Sequence, residues 1–153
     1  MYSNNLICNI LDYIDININS KISIEDLEHK FYYNRYYIMK LFKKELNITI
    51  FDYINKLRIY NSIKELSNEE KIIKIAINNG FYSLEYFSEI FKKEIGVSPR
   101  KYKKIISNHY YYNQSITITN NLININNIIE KIDKYKNNRK RETFPVKKLS
   151  IWN

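Results

Sequence analysis

Few residues in this sequence could carry out covalent or metal chemistry. Cys8 is the one cysteine, and the two histidines, His29 and His109, are isolated from Cys8 and from each other. One cysteine excludes an intramolecular disulfide and a cysteine-rich metal site, and this spacing does not support a zinc site. The sequence has no paired Ser/His/Asp arrangement and no phosphate-binding glycine loop. We therefore predict no enzymatic activity, catalytic residue, metal or cofactor, and we expect Cys8 to pack beside Ile7.

Cations are the chemical groups that this sequence has in excess. Its 25 Lys and Arg residues outnumber 16 Asp and Glu residues, for a formal net charge of +9. Two basic clusters lie in a repeated pattern: FKKELNITIFDY spans 42–53, and FKKEIGVSPRKY spans 91–102 and begins 49 residues (91 − 42) later. A basic surface favours polyanions such as nucleic acid or an anionic membrane.

The first copy of the pattern ends a predicted helical hairpin. Ser23 begins SIEDLEHK, where Ser23 and Asp26 resemble a capping box. Asn34 is a good N-cap for RYYIMKLFKKEL, whose apolar stripe consists of Ile38, Leu41 and Phe42. These features predict a short helix, a tight turn and a second helix with a basic and polar outward face.

The second copy ends the same arrangement. IIKIAINNGFYSLEYFSEIFKKEIG predicts a short helix, a turn at Gly80 and a second helix that Ser83 caps and Gly96 ends. Its predicted inward residues are Tyr86, Phe87, Ile90 and Phe91. Pro99 fits the first turn of a terminal helix, and a long helix, IFDYINKLRIYNSIKELS, joins the two units.

The predicted fold class is therefore all-α, with two helix-turn-helix subdomains joined by a long linking helix. The apolar runs are too short to cross a bilayer, and the N-terminus does not resemble a secretory signal. We expect a cytoplasmic protein without a membrane partner.

The second unit carries a specific family resemblance. IAINNGFYSLEYFSEIFKKEIGVSPRKY is similar to the signature of the DNA-binding domain of the AraC/XylS family of bacterial transcription regulators. The agreement runs without a gap through Ala76, Gly80, Phe81, Phe87, Phe91, Gly96, Pro99 and Tyr102. The resemblance covers about residues 6–106, and we assign 1–107 to this domain.

The resemblance implies a sequence-specific DNA-binding transcription regulator, more often an activator. Such proteins place two recognition helices in successive major grooves, about 34 Å apart, and contact RNA polymerase at promoters. The implied partners are double-stranded DNA and RNA polymerase, and the implied location is the bacterial nucleoid.

Helical spacing and the resemblance select the same outward positions for contacts with bases. Arg35 could reach guanine, while Tyr36 or Met39 could pack on a thymine methyl group. The full set of predicted base-contacting residues is Arg35, Tyr36, Met39, Lys40, Leu84, Glu85, Ser88 and Glu89. Because the second set is acidic and apolar, we expect the first unit to carry most of the base specificity.

Phosphate contacts require cations rather than a particular base. The predicted phosphate-contacting residues are Lys43, Lys44, Lys92, Lys93, Arg100, Lys101 and Lys103. Arg58, on the linking helix, is interpreted as structural instead.

Three residues depart from the family pattern. Glu28 stands where a small residue is usual and must swing outward or find a partner. Tyr32 stands at a turn position that is normally glycine, and Glu89 stands where relatives often carry a basic or polar residue. These departures support an alternative: a degenerate helix-turn-helix module that binds RNA polymerase or another regulator without reading DNA.

Residues 108–153 lie beyond the resemblance and form a C-terminal extension. We predict a short strand at 115–119, followed by an amphipathic helix that carries Ile125, Ile128, Ile129, Ile132 and Tyr135 on one face. This face could pack on the domain, dimerise or begin an effector domain. Packing or self-association is favoured, so the protein is expected to be a monomer or a dimer through this extension.

Overall fold

The computed structural model describes residues 2–107 and 112–143, and all of its regular structure in that part of the chain is helical. The helices are α1 (Tyr2–Asn17), α2 (Ile24–Phe31), α3 (Arg35–Leu46), α4 (Ile50–Leu66), α5 (Ile72–Asn78), α6 (Leu84–Ile95), α7 (Pro99–Ser107) and α8 (Tyr112–Thr143). The predicted all-α fold with two helix-turn-helix units is confirmed.

Local caps explain where the hairpin helices begin. The Ser23 hydroxyl accepts from the Asp26 backbone N–H at 3.1 Å, and the Ser23 N–H donates to Asp26 Oδ2 at 2.8 Å, which completes the predicted capping box. Asn34 Oδ1 accepts from the Tyr36 N–H at 2.9 Å, and Ser83 Oγ accepts from the Tyr86 N–H at 3.1 Å. Short-range hydrogen bonds therefore fix where α2, α3 and α6 begin.

Each unit has its own apolar core. The first core contains the inner faces of α1, α2 and α3 with the start of α4, including Ile10, Leu27 and Phe42. The second contains Phe81, Phe87 and others from α5, α6 and α7, with the end of α4. Cys8 is buried, as predicted.

α4 joins the two cores through a buried arginine. Arg58 donates from Nε to the Ile18 carbonyl at 2.8 Å and from Nη2 to the Ser20 carbonyl at 2.7 Å. Its guanidinium lies 5.8 Å from the centroid of the Phe81 ring. Arg58 therefore connects the α1–α2 loop to the turn of the second unit, in agreement with its predicted structural role. Lys56, on the same helix, pairs with Glu94 of α6.

α8 packs along both units. Ile118 and Ile125 join the second core, whereas Ile132 joins the first. The prediction of a strand at 115–119 is wrong, because this stretch is helical. The seven-residue spacing of these three isoleucines places them on one side of a helix, so only a helix buries all of them.

The described residues contain no helix with both the length and the apolar character needed to cross a bilayer. Within the same residues, no three His, Cys, Asp or Glu side chains come together in a way that could hold a metal ion.

Candidate nucleic-acid interface

The N-terminal half of α3 presents three of the predicted base-contacting side chains to solvent. Tyr36 is 73% exposed and Met39 is 37% exposed, and Lys40 is also exposed. Between them, Ile38 is buried in the first core. The helix therefore separates a packed face from an outward face that combines an aromatic ring, a thioether and an ammonium group.

Arg35, the fourth predicted base-contacting residue of α3, has intramolecular partners. Its Nη1 lies 3.0 Å from Glu25 Oε1, and its Nη2 lies 3.0 Å from Glu28 Oε2. Its Nε also donates to Glu28 Oε2 at 3.2 Å. Two carboxylates of α2 therefore hold the guanidinium at the start of α3.

Glu28 also accepts a hydrogen bond from the Arg35 backbone N–H at 3.2 Å. That bond, followed by the side-chain pairing with Arg35, holds the pKa of the Glu28 carboxyl below its usual value. Glu28 was expected to swing outward or find a partner, and its partner is Arg35. Its carboxylate caps the N-terminus of α3 and does not enter the core.

Four exposed tyrosines surround the start of α3. Tyr32 is 92% exposed, Tyr33 is 39% exposed and Tyr37 is 44% exposed, and they adjoin Tyr36. The rings of Tyr33 and Tyr37 stack with their centroids 5.5 Å apart and an angle of 22° between their planes. We call Tyr32, Tyr33, Tyr36 and Tyr37 the tyrosine surface. Only Tyr36 was predicted as a contact residue, although the run FYYNRYY already signals the cluster.

The corresponding face of α6 has a different character. Glu85 and Glu89 are exposed, whereas Leu84 and Ser88 are half-buried. Leu84 packs against the second core. The outward face of α6 therefore begins with two carboxylates.

Tyr86 corrects one prediction for this helix. We expected it to face inward, but it is 45% exposed, and its hydroxyl accepts from Asn55 Nδ2 of α4 at 3.2 Å. A phenol can combine ring packing with a polar contact at the surface, which the helical period alone does not reveal.

The predicted phosphate-contacting residues fall into two groups. Four are exposed cations: Lys44, Lys92, Arg100 and Lys101. The other three also bind within the protein. Lys43 donates to the Asn47 carbonyl at 3.1 Å, Lys103 donates to the Glu70 carbonyl at 2.7 Å, and Lys93 lies 3.7 Å from Asp52 Oδ1.

A basic groove brings some of these cations together with residues that the sequence did not single out. A cavity of about 360 Å³ between α7 and the start of α5 is lined by the cations Arg100, Lys103, Lys71 and Lys104, together with Glu70. Helical periodicity could not place Lys71 in the same groove as the cations of α7, because this arrangement depends on the tertiary fold.

Comparisons with known proteins agree with this geometry. The family described as "Helix-turn-helix domain" matches residues 27–105. The chain is 34% identical over 103 residues to the transcriptional regulatory protein HptR of Staphylococcus aureus, covering 67% of this chain and 41% of HptR. It is 28% identical over 103 residues to the HTH-type transcriptional activator AarP of Providencia stuartii, covering 67% of this chain and 76% of AarP.

A solved structure shows the same arrangement of helices. The C-terminal domain of AraT, a response regulator from Geobacillus stearothermophilus, superposes with a TM-score of 0.62 at 25% identity. The match covers 70% of this chain and 94% of that domain. The chain therefore spans nearly all of the AraT domain but about two fifths of HptR.

Proposed function

This chain belongs to the AraC/XylS family of DNA-binding transcription regulators, and we propose that it reads one duplex with α3 and α6 in successive major grooves. One observation carries this proposal. The chain repeats a capped helix with an outward, solvent-facing N-terminal half, once before and once after the linking helix α4 in sequence. α4 also packs directly against α6 through Asn55 and Lys56, which fixes the position of the second reader relative to the first unit.

The outward faces of α3 and α6 make different contacts with DNA. Tyr36, Met39 and Lys40 of α3 contact base edges and supply most of the sequence preference. α6 makes a weaker contribution through Glu85 and Glu89, since a carboxylate can accept from a cytosine amino group but repels phosphate. The exposed lysines and arginines of α3, α6 and α7 bind the phosphate backbone.

Binding selection from a random duplex pool, carried out at two salt concentrations with purified protein, tests this proposal. We expect a motif of two blocks spaced by about one helical turn, with affinity that falls as salt rises because counterions are released on binding. Enrichment of one block means that one unit reads while the other anchors. No enrichment, with binding lost at moderate salt, contradicts the proposal and favours the protein-interaction module.

Two lysine variants test the division between bases and phosphates. We expect Lys40→Ala to relax the preference at one block, because Lys40 lies on the base-reading face of α3. We expect Lys92→Ala to weaken binding to all sequences alike and to lower the salt slope by about one. Titrations on the selected duplex and on a scrambled duplex measure both effects. Equal losses from both variants on both duplexes would contradict this assignment.

We further propose that the protein activates transcription by contacting RNA polymerase, that it acts at the nucleoid, and that it has no enzymatic activity. In vitro transcription from a promoter with the selected motif tests activation, and we expect more transcript in its presence. Sedimentation of free protein and of complex distinguishes a monomer from a dimer formed through residues 108–153. Binding to polymerase with only weak binding to any DNA would support the interaction module instead.

A further inference from the structure

The contacts of Arg35 bear on which bases the first unit can read. Bidentate recognition of guanine O6 and N7 requires the free fork of an arginine side chain. In this protein Nε and Nη2 donate to Glu28, and Nη1 donates to Glu25. These bonds occupy three of the five N–H donors of the guanidinium, so guanine would have to compete with two carboxylates for this side chain. Arg35 is therefore a positioning residue that orients the start of α3.

The other predicted base-reading positions on this face carry the ring of Tyr36, the thioether of Met39 and the ammonium group of Lys40. Tyr36 and Met39 are exposed at base-reading positions, and they continue into the tyrosine surface at the N-terminus of the helix. Large aromatic groups clustered on an exposed surface mark a binding site more often than scattered ones do. In the major groove, the 5-methyl group of thymine is the apolar group available for such contacts.

From these two observations, we infer that the first unit recognises an A·T-rich block through thymine methyl groups, read by Tyr36 and Met39, and not through guanine read by Arg35. This inference rests on the proposed function and adds a base preference to it. It rests on the position of the Arg35 guanidinium, which is paired with Glu25 and Glu28 beside the exposed tyrosine surface.

Replacement of thymine by deoxyuridine removes only the methyl group and tests the inference with the unmodified protein. On the selected duplex, we expect each substitution at a contacted thymine of the first block to lower affinity about fourfold, the effect of losing one buried methyl-sized group. The same substitutions in the second block serve as a matched control and should change affinity little. A Glu89→Gln variant identifies the second block, because its own selected motif changes there.

Protein variants assign the effect to side chains. Tyr36→Ser and Met39→Ala should each bring the ratio of thymine to deoxyuridine affinity closer to one at a contacted position. This ratio compares two duplexes on the same protein, so a general loss of affinity or stability does not alter its meaning. A ratio unchanged by both variants overturns the assignment.

Recognition of guanine by Arg35 would give a different result in a second experiment. 7-Deazaguanine lacks the N7 acceptor. The Lys40→Ala variant is used because a lysine at this face can also bind guanine. We expect the affinity of this variant to stay unchanged when 7-deazaguanine replaces guanine in the first block. If deoxyuridine has no effect and 7-deazaguanine weakens that variant, Arg35 reads guanine and the inference is wrong. Failure of the proposed function looks different, because selection would then yield no blocks at all.

Discussion

At the scale of single residues, the first turn has the left-handed backbone conformation typical of glycine, although the residue there is Tyr32. Tyr32 has φ 59° and ψ 32°, in the left-handed region, and the corresponding position of the second turn is Gly80 with φ 79°. A side chain in this region costs about 1–2 kcal/mol. The unusual residue therefore leaves the turn in its expected shape, at a cost in stability, and its exposed ring contributes to the tyrosine surface.

Tyr32→Gly is accordingly expected to stabilise the protein by about 1 kcal/mol, after allowance for the greater flexibility of glycine in the unfolded chain. Urea denaturation measures the change. Gly80→Ala is the opposite control, because a Cβ there would lie 2.8 Å from the Ile18 carbonyl oxygen and 2.9 Å from Arg58 Nε. Loss of stability in Tyr32→Gly would show that the Tyr32 ring stabilises the fold.

Glu28 gives stability a pH dependence. Its pKa is lowered in the folded protein by its contacts with Arg35, relative to an ordinary value of 4.5. The stabilisation from ionised Glu28 is therefore fully present above about pH 4.5 and is lost as the pH falls through the lowered pKa. We expect the stability difference between the wild type and Glu28→Gln to shrink on acidification, as measured by denaturation at several pH values. A difference that stays constant down to acid pH would show that shape, not charge, holds Arg35, and exposed Glu89→Gln is the charge-matched control.

At the scale of helices, Arg58 makes α4 more than a spacer. It is buried, and both carbonyls that it contacts lie in the α1–α2 loop. Burial disfavours its charged form and lowers its pKa, but a guanidinium stays protonated at neutral pH. Carbonyl oxygens and the Phe81 ring therefore provide the partners that a buried cation requires.

Arg58→Met keeps much of the side-chain volume but removes the donors. We expect a loss of about 2–4 kcal/mol, since both hydrogen bonds involve a charged donor and their carbonyls lose their partner. Lys64→Met, at an exposed site on the same helix, should stay within about 0.5 kcal/mol of the wild type. Denaturation curves of the two variants give the comparison, and equal small effects would show that water replaces Arg58 at no cost.

At the scale of the whole molecule, α8 ties the two units together. Besides its isoleucines, Asn121 Nδ2 donates to the Ile95 carbonyl at 2.9 Å, and Lys136 Nζ lies 2.6 Å from Asp12 Oδ1. These contacts reach the end of α6 in the second unit and α1 in the first. We therefore propose that α8 does not act as a separate domain, but holds the two readers at one separation.

Ile125→Ala is expected to cost about 2–5 kcal/mol, the usual effect of truncating a buried isoleucine. Because α8 contacts both cores, we expect faster amide hydrogen exchange in both units, and tolerance of a wider range of spacings between the two DNA blocks. Ile123→Ala, at a position that is 52% exposed, is the control. Faster exchange in the second unit alone would show that the change at Ile125 is not transmitted along α8 to the first core.

Much of the fold could be predicted because its signals are local. The Ser23, Asn34 and Ser83 caps, the buried Ile38 and Phe42 and the left-handed Gly96 all depend on neighbours within a few positions. The site was predicted less completely. Tyr36, Met39 and Lys40 lie at the surface as helical spacing requires, but spacing could not show that Arg35 is paired or that Tyr86 faces outward.

The sequence by itself determined the helices of the two units, their caps, the duplication and the family, since each depends on residue types at fixed short spacings. Only the tertiary structure decided which partners the outward groups meet. Glu25 and Glu28 reach Arg35 because the turn brings α2 beside the start of α3, and Arg58 reaches Ser20 across 38 positions of sequence. It also decided where α8 packs, because a helix with an apolar stripe can be covered by any complementary surface until the other helices are in place.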